Sequence, residues 1–130
     1  MIVLDASVVV ELLTHGVLAD SIWRELSTRD DDFLVPHLLD IEVISAIRSL
    51  VAGHRIDAHR CEQLLTDLAA FPAERYPHTP LLGRIWELRN NFTAYDAAYI
   101  ALAEAAGAVL YTSDRKLRTG HGARVMLFDR

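Results

Sequence analysis

Four acids, Asp5, Glu42, Asp96 and Asp114, stand where predicted elements begin or end. Grouped carboxylates oppose one another's ionisation, because each negative charge raises its neighbours' pKa. Hard divalent cations relieve that cost, and oxygen-only ligation points to Mg²⁺ or Mn²⁺ and away from zinc. Two such ions about 4 Å apart can activate a water and stabilise the leaving oxygen of an in-line phosphoryl displacement. Gathered in one pocket, these acids imply phosphodiester hydrolysis.

Each acid also has a local reading. Asp5 suits the N-cap of a following helix, Asp114 a cap before Leu117, and Asp96 the closing position of a capping box with Thr93. Glu42 shares a helix face with Ser45 and Ser49, beside the apolar stripe Val43, Ala46, Ile47 and Leu50, as a solvated residue would. Asp40 is a rival for Glu42, but it lies in a helix's first turn, where the dipole accounts for it. Singly, capping and chemistry both stay open; in combination, four acids predicted on one side of one sheet favour a site.

The elements that must position them follow from periodicity and punctuation. Ile2 to Asp5 is a short apolar run feeding a helix over Val8 to Leu13. Leu18, Ile22 and Leu26, spaced by four, predict a second helix that contains Trp23 and ends before Asp30-Asp31-Asp32, a solvated loop. Phe33-Leu34-Val35 predicts a strand stopped by Pro36. Leu38 to Ala52 predicts a helix stopped by Gly53, and Asp57 an N-cap for a helix reaching Ala70. Glu74 to His78 reads as a brief edge strand, and Pro80 as a first-turn proline before Leu82, Ile85, Trp86 and Arg89. Ala94 to Ala106 is an alanine-rich helix stopped by Gly107. Ala108 to Tyr111 is a strand, Ser113 to Arg118 a short helical turn, and Val125 to Phe128 a final strand.

Short apolar strands alternating with helices predict an α/β fold, a central parallel sheet of four to five short strands with helices on both faces. Ligands of such sheets collect outside the carboxyl ends of the strands. Asp5 and Asp114 follow two of those ends, and the Glu42 helix starts from a third. One domain over residues 1–130 is expected from the length and from an apolar share of 52%.

The opening residues carry no basic segment, long apolar run or small-residue cleavage site, and no stretch is apolar enough to span a membrane. A soluble, cytoplasmic protein is expected. The single cysteine, Cys61, falls in a helical pattern with Leu64, Leu65 and Leu68, as a core thiol would. A net charge of −5 disfavours nucleic acid, unless cations bound by the acids invert the local field. Six histidines show no ligand spacing and read as mostly solvated; Thr119-Gly120-His121-Gly122 reads as a turn. No phosphate-binding glycine loop or nucleophile elbow is present. Leu38, Leu39, Ile41, Val43, Ile44, Ile47, Leu50 and Val51 wrap further round their helix than a one-sided core requires, which predicts a homodimer.

The blocks Ile2-Val3-Leu4-Asp5-Ala6-Ser7, Ala94-Tyr95-Asp96-Ala97-Ala98-Tyr99-Ile100-Ala101-Leu102-Ala103 and Leu110-Tyr111-Thr112-Ser113-Asp114 resemble the VapC-type toxins, PIN-domain ribonucleases of bacterial toxin–antitoxin pairs. The resemblance implies a PIN-like fold, a metal-dependent endoribonuclease and a cognate VapB-like antitoxin. It puts the family's four acids on Asp5, Glu42, Asp96 and Asp114, with Mg²⁺ or Mn²⁺ held by Asp5, Asp96 and Asp114. Ser7 and Thr112 take supporting polar positions. Ser45 stands where that family often has Asn. Two other functions compete: a haloacid-dehalogenase-like phosphatase, which needs a second Asp where Ser7 stands, and a silent PIN domain retained as a protein-binding module.

Overall fold

The computed structural model describes residues 1–129. Five parallel strands, β1 (Ile2–Leu4), β2 (Phe33–Pro36), β3 (Ala73–Tyr76), β4 (Val109–Thr112) and β5 (Arg124–Leu127), form one sheet in the order β3-β2-β1-β4-β5. Burial follows that order: every residue of β1 is buried, whereas edge strand β3 alternates between half-buried and exposed. A central parallel strand is covered on both faces and reads as an unbroken apolar run; an edge strand does not.

Six helices flank the sheet: α1 (Ala6–Thr14), α2 (Ala19–Ser27), α3 (Leu38–Ala52), α4 (Cys61–Ala69), α5 (Leu82–Glu87) and α6 (Ala94–Ala106). Helices α1 to α4 pack on one another, while α6 pairs with α5 and lies against β1, β2 and β4. Alanines at 97, 98, 101 and 103 are buried in α6, and their small side chains let that helix approach the sheet closely. Gly107 ends α6 at φ 63, a left-handed conformation that glycine adopts without a Cβ penalty. No single helix among the described residues is long and apolar enough to cross a membrane.

Two expectations about elements change. Pro36 belongs to β2 and does not stop it, pairing with Tyr76 of β3. Successive amides point to opposite neighbours, and the His37 N–H reaches Tyr76, so residue 36 faces β1. The pairing with β1 covers only Phe33 and Leu34, so the donor that proline lacks has no ladder to complete. Asp57 precedes a 3-10 turn, Ala58–Arg60, and its side chain makes no capping hydrogen bond; α4 begins after that turn. Cys61 is only half-buried, packed against the core rather than inside it.

The strand order creates the site. From β1 the chain steps outward to β2 and β3, then returns across β1 to β4 and β5. Adjacent strands β1 and β4 therefore send their connections in opposite directions, and a crevice opens beyond their carboxyl ends.

Candidate active site

Asp5 and Asp114 flank that crevice. Asp5 follows β1 and caps α1: its Oδ1 accepts the Val8 N–H at 3.1 Å and the Ser7 hydroxyl at 2.5 Å. Its Oδ2 accepts the Thr112 hydroxyl at 2.5 Å. Three donors thus fill most of the roughly four acceptor sites of a carboxylate, and each favours the ionised form. Burial still wins. Asp5 is 5% exposed, and burial pushes its pKa up to about 6 against the hydrogen bonds from Ser7, Thr112 and Val8, with the Asp96 charge adding to the rise.

Asp114 begins a 3-10 turn over Arg115–Leu117, and its Oδ1 accepts the Lys116 N–H at 2.9 Å. Thr112 ties it to Asp5, because the same Oγ1 that donates to Asp5 accepts the Asp114 N–H at 3.0 Å. Ser7 makes a parallel tie: it donates to Asp5 and accepts the Ser113 N–H at 3.0 Å. Both expected supporting residues therefore lock the β1 and β4 ends together.

Asp96 lies in the first turn of α6, where Thr93 caps the helix by accepting the Asp96 N–H at 3.1 Å. Burial raises the Asp96 carboxyl above its ordinary pKa and Asp114 raises it further, against the Thr93 hydrogen bond and Lys116. Glu42, on α3, is likewise raised by burial and by Asp96, with the Tyr99 hydroxyl beside it opposing the rise. Asp96 is the hub, the charge that couples to each of the other three acids. Capping and clustering are not alternatives here, since Asp5 and Asp114 do both and Asp96 sits in a capped first turn.

A cleft of about 580 Å³ lies beside these acids, lined by Ala6, Leu38, Ile41, Glu42, Ser45, Ala46, Ser49 and Tyr95. Ala6 and Tyr95 are the chain neighbours of Asp5 and Asp96, so the cleft opens onto the cluster. Another hollow, about 490 Å³ and lined by Asp31, Asp32, Phe33, Pro72, Ala73 and Glu74, sits where β2 and β3 begin, at the end of the sheet away from the cluster.

The donor set suits a hard cation. None of the four acids takes part in an ion pair among the described residues. One more polar atom accompanies the set: the Tyr99 hydroxyl, on a residue 1% exposed, has no hydrogen-bond partner at full bonding geometry. Glu42 is the carboxylate it faces, and burial followed by that carboxylate keeps the phenol far above its ordinary pKa. No three His, Cys, Asp or Glu side chains among the described residues already surround one ion-sized point. Mg²⁺ suits so open an arrangement, because it keeps several of its waters and does not need every carboxylate in direct contact.

Other expectations are revised by partners that the fold supplies. Asp40 answers to a side chain more than to a dipole: Arg75 grips it from β3, with Nη2 to Oδ1 at 2.8 Å and Nε to Oδ2 at 3.1 Å. His121 is half-buried and structural, its Nε2 2.6 Å from the Leu117 carbonyl and its Nδ1 accepting the Ala123 N–H. Tyr99 was visible only as an aromatic three residues after Asp96; what it faces depends on where α3 lies.

A parallel sheet whose strand order reverses between β1 and β4, with coupled carboxylates on that crevice, defines a small α/β domain of acidic active site. Residues 2–120 match the PIN domain, and the chain belongs to the PIN-domain family, in its VapC-type branch. It is 38% identical to Ribonuclease VapC12 of Mycobacterium tuberculosis over 94% of this chain and 93% of that protein. Among solved structures it resembles VapC20 of Mycobacterium tuberculosis, described as a sarcin-ricin loop cleaving toxin, with a TM-score of 0.70 at 15% identity over 90% of this chain and 92% of that one. It also resembles a chain of a toxin–antitoxin complex from Klebsiella pneumoniae, with a TM-score of 0.70 at 15% identity over the whole of both chains. The phosphatase alternative falls with this family, and Ser7, at the position where that enzyme needs its second Asp, serves Asp5 as a donor.

Proposed function

We propose that this chain is a metal-dependent endoribonuclease that hydrolyses RNA phosphodiester bonds, a single catalytic domain acting in the cytoplasm as the toxin of a toxin–antitoxin pair. The observation that carries this reading is the coupling of Asp5, Glu42 and Asp114 to Asp96, with none of the four acids in an ion pair among the described residues. The names of its relatives and structural neighbours support the substrate and the pairing.

Asp5, Asp96 and Asp114 are the residues that hold Mg²⁺, with Mn²⁺ able to replace it. Bound there, the cation supplies a Lewis acid for the phosphoryl oxygens and water of lowered pKa. The chain's own part is to hold the ligands still. Asp5 cannot rotate without losing Ser7, Val8 and Thr112 together, and Asp114 keeps Oδ1 on the Lys116 N–H while Oδ2 meets no donor among the described residues. Glu42 lines the cleft and is half-buried, and burial raises its pKa above the ordinary carboxylate value. It is therefore placed to exchange a proton with a group in that cleft.

The purified protein should cleave RNA with Mg²⁺ or Mn²⁺ and stop in excess chelator. Asp5→Asn should lower the rate by orders of magnitude. Undiminished cleavage in chelator overturns the metal reading, and an intact protein that cuts no RNA overturns the enzyme. Mapping new 5′ ends in cellular RNA after brief expression identifies the target. The partner is a small antitoxin whose arginine replaces the cation with bidentate hydrogen bonds, so its inhibition should weaken as Mn²⁺ rises.

A further inference from the structure

Tyr99 is out of place by ordinary rules. It lies in the middle of α6, a helix whose other buried residues are mostly alanine and aliphatic, and it is 1% exposed. A phenol buried so deeply normally finds a partner for its hydroxyl, because a buried donor left unmade loses its hydration without return. This one has no hydrogen-bond partner among the described residues.

Position says what it is for. Tyr95 lines the cleft opposite Glu42, and residues four apart on a helix stack on one face. Tyr99 therefore lies one turn deeper on the side of α6 that meets Glu42, and three residues from Asp96 along the same helix. Glu42 itself makes no hydrogen bond to the backbone and no ion pair among the described residues, unlike Asp5 and Asp114, which are each pinned by backbone N–H groups. Glu42 and Asp96 are the two acids of the cluster without such a pin, and Glu42 is the one that lies on another helix, with a spare buried donor beside it.

We propose that Tyr99 is a positioning residue for Glu42, its hydroxyl donating to that carboxylate with or without a divalent cation and so fixing it against the cluster. This inference rests on the proposed metal site for its purpose but not for the contact itself. A hydroxyl one atom beyond an otherwise apolar ring is the whole device. Phenylalanine would pack as well and leave Glu42 free to turn into the cleft. Residues that hold a site carboxylate in place typically change metal affinity by about 10- to 100-fold; the lower end suits Glu42, which adds its charge beside a cation held by the other three acids.

The experiment has two arms on the full chain, using wild type, Tyr99→Phe, Glu42→Gln and the double variant. In chelator, urea unfolding measures whether the two changes are coupled. The expected result is that Tyr99→Phe shifts the midpoint with Glu42 present and shifts it clearly less in the Glu42→Gln background. Equal shifts in both backgrounds overturn the contact. In the second arm, calorimetric titration with MnCl₂ alone should give a dissociation constant about tenfold weaker for Tyr99→Phe, with little further loss once Glu42 is already Gln. Coupling in urea without any change in Mn²⁺ affinity overturns the positioning role while leaving the contact. A wild-type protein that binds no Mn²⁺ fails the metal reading, and the urea arm still decides whether Tyr99 and Glu42 meet.

Discussion

The Thr112 hydroxyl donates to Asp5 Oδ2 at 2.5 Å across 107 residues of chain, and both residues are buried. The contact joins the ends of the two strands that flank the crevice, and the same oxygen receives the Asp114 N–H. Thr112→Val keeps the shape and removes both functions. Breaking a buried hydrogen bond to a charged group typically costs about 1.5–3 kcal/mol. Losing a donor to the ionised form also raises the Asp5 pKa further. Cleavage by Thr112→Val should therefore fall more at pH 6 than at pH 8, with a lower melting temperature. A pH–rate profile parallel to wild type contradicts the role assigned to this hydroxyl.

Much of that arrangement was legible in advance, and the illegible part has a physical reason. Asp5 and Asp114 each follow an apolar run, and strand ends carry sites in parallel sheets, so their rim could be read from local pattern. Strand order could not. That β1 and β4 are neighbours, and hence that Thr112 reaches Asp5, depends on which pairing buries the most apolar surface overall. Asp40 shows the same limit: its guanidinium partner lies 35 residues away on the edge strand. Tyr99 shows it again, since an aromatic in an alanine-rich helix announces burial but not what its hydroxyl will meet.

Asp5 makes stability depend on pH in a sense opposite to that of a salt-bridged acid. Its pKa is about 6 folded against an ordinary 3.8, so between those values the folded chain holds more protons than the unfolded one. Stability therefore falls as pH rises through this window, and the loss is complete above about 6. A gap of that size corresponds to about 3 kcal/mol. Glu42 and Asp96 are raised as well and act in the same direction. In chelator, wild type should be more stable to urea at pH 5 than at pH 7.5, and Asp5→Asn should flatten the difference. An unchanged slope in that variant would contradict the assignment to Asp5.

Asp96 is the charge shared by all couplings, so neutralising it should help the empty protein and harm the loaded one. Asp96→Asn relieves Asp5 and Glu42 at once, and the metal-free melting temperature should rise by about 3 °C, the shift expected for a change of roughly 1 kcal/mol in a chain of this size. Wild type should gain more from Mn²⁺. A cation at a hundred times its dissociation constant adds about 2.7 kcal/mol, and Asp96→Asn should lose most of that response. Melting curves with chelator and with MnCl₂ decide it; identical Mn²⁺ responses in the two proteins would sink the hub.

The apolar strip on α3 divides once the fold is known. Leu39, Val43 and Ile47 are buried in the core, whereas Ile41 and Ile44 are 67% and 43% exposed. In a two-fold dimer packed through α3 each exposed isoleucine counts twice. Fully burying an isoleucine side chain contributes about 1.5–3 kcal/mol, so these four, already partly covered, supply only about 3–6 kcal/mol. Association costs about 4–15 kcal/mol in lost freedom. The isoleucines alone cannot hold a dimer at micromolar concentration. Half-buried Leu38, Leu50 and Val51 and Tyr95, 59% exposed across the cleft from Ile41, must add to the interface. An interface assembled from such small contributions has little in reserve, so a single charge at its centre should dissociate it. Sedimentation should give a dimer for wild type at tens of micromolar and a monomer for Ile44→Glu. Because Ile44 faces solvent in the isolated chain, the variant's unfolding midpoint at low concentration should stay within about 0.5 kcal/mol of wild type. A wild-type monomer rejects the dimer; a dimer that survives Ile44→Glu moves its interface off α3.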